Sequence, residues 1–253
     1  MGINCGFEKN KKLKQCKERP KPLIPYFEGK QRVADKIISK FPDHKTFVEP
    51  FAGGGAVYWK NTIADKFVVN DKNKDVCTLY KTAKNNPGNL KKCDLNNMNK
   101  EKFDRLKNKS NKSACEVIKL HKHGFSGSPR NYLEKNRTFK NHMTEEQSKK
   151  LKKTTVLCQD YKKVMEKYDS KNTLHYLDPP YVKAGKEYIS HGVTPKEVCD
   201  VAKKMKGKVV ISYDDCSEVK KSCKGLKFRK IKFPYSSSFG KNKEATELLI
   251  TNY

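Results

Sequence analysis

The chain lacks any run approaching the roughly 20 apolar residues that a membrane-spanning helix needs, so a spanning protein is excluded at the outset. It has no C-x-x-C pair either. Nine cysteines, Cys5, Cys16, Cys77, Cys93, Cys115, Cys158, Cys199, Cys216 and Cys223, are spread thinly over 253 residues. An odd number at such spacing reads as neither a zinc site nor a disulfide framework, and free thiols in a reducing, intracellular compartment are expected. Met1 to Phe7 has no apolar core of a secretion signal, which points the same way. Acidic residues are few, with 28 Asp+Glu against 56 Lys+Arg and a formal charge of +28. A field of that sign attracts phosphate backbones and speeds encounter with them. Arginine is scarce within the surplus, and the Lys and Asn bias is also what an AT-rich genome yields without selection for binding. What is present is bulk: 12 Phe and 12 Tyr suffice for the core of one large α/β domain, or a domain plus a small insert.

Residues 1–22 carry Lys9, Lys11, Lys12, Lys14, Lys17, Arg19 and Lys21 with few apolar partners, and read as a flexible basic arm ending at Pro20 and Pro22. From Leu23 onward short β-branched runs alternate with segments of helical period, the pattern of crossover units that build a mostly parallel sheet. Seven strands are expected: Thr46 to Glu49, Lys66 to Asn70, Thr155 to Gln159, Leu174 to Leu177, Val209 to Ser212, Phe228 to Phe233 and Glu247 to Asn252. The last two have no helix between them and should pair antiparallel across the Ser236 to Lys243 loop. Helices are expected over Gln31 to Phe41 and Lys74 to Lys84, where apolar residues share one face. Residues 85–154 break the rhythm, with helical periods at Lys100 to Lys107 and Ser113 to Lys122 but no strand. So long a gap in a compact domain reads as an inserted subdomain between the two parts of a catalytic domain, 23–84 and 155–253.

Three motifs carry chemistry. Glu49-Pro50-Phe51-Ala52-Gly53-Gly54-Gly55 runs from a strand through glycines into a helix, where backbone amides can approach a ligand closely. It is not a dinucleotide fingerprint, because Tyr58 occupies the position where such a site needs a third glycine. Asn70-Asp71 ends the next strand and sets a carboxylate beside the glycine turn, either for a pair of ribose hydroxyls or as the cap of the following helix. Leu177-Asp178-Pro179-Pro180-Tyr181 stops an apolar strand in a stiff turn whose carboxylate and Pro179 carbonyl are fixed acceptors. That pair suits an amino group with two protons to donate, and Tyr181 could stack on a base.

These motifs, in this order, resemble the Dam-like DNA adenine N6-methyltransferases, over roughly Leu23 to Tyr253. The resemblance implies a seven-stranded, mostly parallel sheet with helices on both faces, the class I S-adenosylmethionine-dependent methyltransferase fold, plus a small, mainly helical DNA-recognition insert. It implies S-adenosylmethionine as cofactor and double-stranded DNA as partner, with no metal and no membrane, and it leaves open a cognate restriction nuclease and the oligomeric state. By that resemblance Tyr26, Lys30, Pro50, Phe51, Ala52, Gly53, Gly54, Asp71, Asp160, Tyr161 and Asp178 would surround the cofactor, with Lys30 near its carboxylate. Asp178, Pro179, Pro180 and Tyr181 would form the catalytic turn. The stretch His121 to Tyr132 resembles the recognition region, so His123, Ser126, Arg130, Asn131 and Arg137 would meet DNA. His121 and His123 read in themselves as a polar helix end rather than metal ligands. A cytosine N4 or RNA amino methyltransferase would share the pocket chemistry. A noncatalytic basic binder would have no need of Asp178, Asp71 and Lys30 together.

Overall fold

The computed structural model describes residues 20–26, 29–134, 138–139, 143–181, 192–236 and 242–253. Most of the basic arm, Arg137 and the loop before the last strand therefore lie outside the described residues. Within them the strands are β1 (Thr46–Glu49), β2 (Lys66–Asn70), β3 (Thr154–Leu157), β4 (Thr173–Leu177), β5 (Lys208–Asp214), β6 (Lys227–Ser236) and β7 (Asn242–Thr251). They form one seven-stranded sheet in the order β3-β2-β1-β4-β5-β7-β6. The first five run parallel, and β7 is antiparallel to both β5 and β6. The seven expected strands and the antiparallel closing pair are all present. β4 is central and all five of its residues are buried, as a parallel strand covered on both faces requires.

The helices are α1 (Ala34–Ile38), α2 (Ala56–Lys60), α3 (Lys74–Asn85), α4 (Pro87–Lys91), α5 (Lys100–Asn108), α6 (Ala114–His123), α7 (Glu145–Lys152), α8 (Tyr161–Lys167), α9 (Pro195–Lys204) and α10 (Ser217–Ser222). Side-chain alternation along the strands divides the core in two. Phe47, Leu174, Tyr176, Val210 and Leu249 share a cluster with residues of α1, α2 and α3. Leu177, Val209, Ile211, Leu248 and Ile250 pack with α8, α9 and α10. Helices thus cover both faces.

Two elements differ from expectation. The single helix read over Gln31 to Phe41 is a 3-10 turn at Lys30–Arg32 followed by the short α1. Pro42 disfavours helical backbone at Phe41 and truncates the far end. β7 starts five residues earlier than its apolar pattern suggests, because ladder pairing with the long β6 holds Asn242 to Thr246 extended.

Between β2 and β3 the chain is helical, with capping boxes opening α6 at Ser113 and Glu116 and α7 at Thr144 and Gln147. Leu90, Leu95, Val117, Ile118, Met143 and Leu151 from this stretch join the same cluster as the sheet. The free-thiol expectation is corrected for six of the nine cysteines, while Cys216 is free and Cys5 and Cys16 lie outside the described residues. Cys77 pairs with Cys158, Cys93 with Cys115, and Cys199 with Cys223. Their Cα atoms are 5.2 to 5.7 Å apart, inside the disulfide range. Residues 81 positions apart met because α3 and the turn after β3 are neighbours, which sequence spacing does not register. The argument from thiols to a reducing compartment falls with it. No helix among the described residues is long and apolar enough to cross a membrane.

Candidate active site

Chain order reverses between β1 and β4, and the ends of parallel strands splay there to leave a crevice. A cleft of about 590 Å³ occupies that place, lined from the ends of β1, β2, β3 and β4 by Glu49, Asp71, Asp160 and Asp178 among others. Tyr26, Lys30, Pro50 to Gly54, Asp71, Asp160, Tyr161 and Asp178 to Tyr181 all line it. The cofactor and catalytic residues read from sequence are therefore gathered in one cavity.

Asn70 fixes three of its walls. Its buried amide donates to the Pro50 carbonyl at 3.0 Å and the Gln159 carbonyl at 3.1 Å, and accepts from the Gln159 amide at 2.9 Å. The turns after β1, β2 and β3 are thereby tied together. Asp71 accepts from the Gly53 amide at 2.8 Å with one oxygen and from the Asn73 amide at 2.8 Å with the other. It is not the cap of α3. Asn73 holds that position and accepts from Asp75. Two backbone donors leave a carboxylate with lone pairs to spare for further hydroxyl groups.

The glycines serve the N-terminal segment closely. A Cβ at Gly53, where φ is +46°, would lie 2.9 Å from the Tyr26 ring, and one at Gly54 would lie 2.9 Å from the Tyr26 Cβ. Tyr26 in turn stacks on His121, with ring centroids 5.3 Å apart. Asp160 caps α8 by accepting from Lys162 and also lines the cleft, so the plain and the functional readings of that acid coexist. Tyr161 packs its ring 4.9 Å from Phe51.

At the catalytic turn, Asp178 is half-buried and Pro179 buried. The Lys30 ammonium, itself buried, lies 2.9 Å from Asp178 and 3.8 Å from Glu247 on β7. It also lies 4.4 Å from the centroid of the Tyr181 ring. The Tyr181 hydroxyl donates to Glu247. Lys30, expected near the cofactor carboxylate, lines the cleft with its ammonium on Asp178. Burial, reinforced by Asp178 and opposed by Lys30, pushes the Glu247 carboxyl up to about 7. Burial and then Asp178 hold the Glu49 carboxyl well above its usual range. One Glu49 oxygen has no hydrogen-bond partner among the described residues.

Glu49 and Glu247 escaped the sequence reading as site residues. Glu49 had a signal, since it opens the glycine motif. Glu247 had none, because in Glu244-Ala245-Thr246-Glu247 it resembles any strand-end acid.

In the stretch expected to meet DNA, Ser126, Arg130 and Asn131 are exposed on the turn after α6, and Gly127 at its centre packs on Pro25 near the cleft. His123 is turned inward. Its ring donates to the Leu95 carbonyl at 2.9 Å, and that of His121 to the Gly127 carbonyl at 2.7 Å. The two histidines, read from sequence as a polar helix end, are buried tethers of this turn.

The strand order, with an antiparallel β7 beside β5 and the site at the ends of β1 and β4, defines a class I S-adenosylmethionine-dependent methyltransferase. Residues 26–235 match the D12 class N6 adenine-specific DNA methyltransferases, and the chain belongs to that family. A DNA adenine methylase of Haemophilus influenzae is 27% identical over 88% of this chain and 89% of its own length. The type II methyltransferase M.MjaIII of Methanocaldococcus jannaschii is 25% identical over 64% of this chain and 69% of its own. A putative methyltransferase from Streptococcus mutans, solved in complex with SAH, aligns with a TM-score of 0.38 at 10% identity, over 86% of this chain and 94% of that one.

Proposed function

We propose that the chain methylates N6 of an adenine flipped out of duplex DNA, with Asp178 and the Pro179 carbonyl accepting hydrogen bonds from the two N–H groups of the amino group and Asp178 taking the one proton released when the methyl group is gained. The observation that carries this reading is the convergence of Asp178, Pro179 and Tyr181 on the same cleft as Asp71, Gly53 and Asp160. An adenine amino nitrogen is a poor nucleophile because its lone pair is delocalised into the ring. Two fixed acceptors let it approach tetrahedral geometry with the lone pair free. Positioning does most of the work. Tyr181 supplies a ring on which the extruded base stacks.

The cleft fits S-adenosylmethionine. Asp71 would take its ribose hydroxyls, Phe51 and Tyr161 would border its adenine with Asp160, and the Glu49 oxygen that has no partner among the described residues would be an acceptor for its ammonium group. When bound, that molecule supplies an electrophilic methyl group on a sulfonium. Ser126, Arg130 and Asn131 extend the protein surface toward DNA, Arg130 by a guanine edge or a phosphate. An intracellular location, where this cofactor and genomic DNA both reside, is part of this reading.

Incubating the protein with DNA and S-adenosylmethionine, digesting the DNA and identifying the modified nucleoside tests the reading. N6-methyl-2′-deoxyadenosine should appear, and Asp178→Ala should lower its formation by about a thousandfold while the variant still binds cofactor. N4-methyl-2′-deoxycytidine as product, or normal turnover by Asp178→Ala, would overturn it.

A further inference from the structure

Glu247 is a buried acid that the mechanism above does not use. Its backbone pairs across β7 with Asp214 of β5 and with Ile231 of β6. Strand alternation sends Glu247 and Leu249 to the face on which β4 presents Leu174 and Tyr176, and Asp178 continues that alternation. Three elements remote in sequence therefore converge: Lys30 from the first turn, Asp178 and Tyr181 from the end of β4, and Glu247 from β7. Ser212 of β5 lies beside Glu247 and helps to lower its carboxyl, and the Tyr176 and Ser212 hydroxyls share a hydrogen bond at 2.9 Å. Asp214 is the other carboxylate opposite it, and the facing residue of β6 is apolar.

The consequence is a shared cation. Lys30 sits between two carboxylates, closer to Asp178 at 2.9 Å than to Glu247 at 3.8 Å. An acceptor that neutralises a buried ammonium by itself is a weaker acceptor for anything else.

We propose that Glu247 is a positioning residue of the catalytic centre: its ionised carboxylate holds the Tyr181 hydroxyl and draws part of the Lys30 charge away from Asp178, leaving Asp178 a stronger acceptor for the amino group of the base. The inference rests on the methyl-transfer reading. When Glu247 is protonated, Lys30 commits to Asp178 and turnover falls. Because the carboxyl is pushed up to about 7, activity should rise with pH through that region.

Glu247→Gln keeps the shape and loses the charge. Its kcat should fall about tenfold to a hundredfold, with cofactor dissociation constant and DNA KM within about threefold of wild type, and the acid limb of the kcat profile near pH 7 should disappear. Glu247→Asp should restore that limb in part. Independently of turnover, a 13C-labelled glutamate carboxyl resonance absent from Glu247→Gln should titrate near 7 in the wild-type protein. Tyr181→Phe removes a hydrogen bond that lowers the Glu247 carboxyl, so its limb should move to higher pH; this readout decides the matter if Glu247→Gln fails to fold. A wild-type protein that methylates adenine, with Glu247→Gln retaining full kcat and an unchanged limb, sinks the inference alone. A wild-type protein with no adenine methylation sinks the functional reading, while the carboxyl titration still reports whether Glu247 is the shared acid.

Discussion

Asp178 shows how a residue can be legible in type and opaque in setting. The Asp-Pro-Pro-Tyr turn announced two fixed acceptors, yet nothing in those four letters placed Lys30 on the carboxylate or Glu247 behind it. His175, in the middle of the strand that leads into this turn, shows the reverse. It reads as a polar interruption of β4, and in the fold it is wholly buried, with neither ring nitrogen partnered among the described residues. Burial lowers it to about 4, so it is neutral in the folded protein at pH 7. The unfolded chain takes up a proton near 6.5 that the folded chain refuses until about 4. Stability is therefore full above the unfolded value and is lost as pH falls toward the folded one, by on the order of 3 kcal/mol. Denaturant unfolding of the wild type at pH 7 and pH 4.5 should show that loss, and His175→Val should show much less of it. Equal pH dependence in both would assign the loss to other groups.

At the level of elements, the strands were readable from the short apolar or alternating run that each contains, though not from the polar residues that lengthen β6 and β7. The ties between them were not. Asn70 ends β2 as an ordinary polar residue, and only the parallel pairing of β1, β2 and β3 brings Pro50 and Gln159 within reach of its amide. Asn70→Ala strands these buried groups and should cost about 2 kcal/mol. Because the three turns line the cleft, cofactor affinity should fall along with the thermal midpoint. Loss of stability with unchanged cofactor binding would show that the turns keep their places without it. Glycine is similarly double in meaning. The sequence read Gly53 and Gly54 as room for a ligand, and the fold gives that room to Tyr26 as well.

For the whole molecule, the charge of +28 predicts how it meets its substrate. Contacts to several phosphates release counterions, so duplex affinity should drop about a thousandfold between roughly 50 and 200 mM salt if six phosphates are engaged. Equilibrium binding at a series of salt concentrations measures the slope, and a flat line would assign the lysine surplus to composition alone. By itself the sequence determined the strand inventory, the crossover pattern and the order of the three motifs, because periodicity and turn chemistry act over a few neighbouring residues. The tertiary structure alone decided which cysteines meet, that His123 turns inward, and that Lys30 is shared between Asp178 and Glu247. These depend on strand order and on the burial that raises or lowers a proton's affinity, and both come into being only when residues far apart in the chain are packed together.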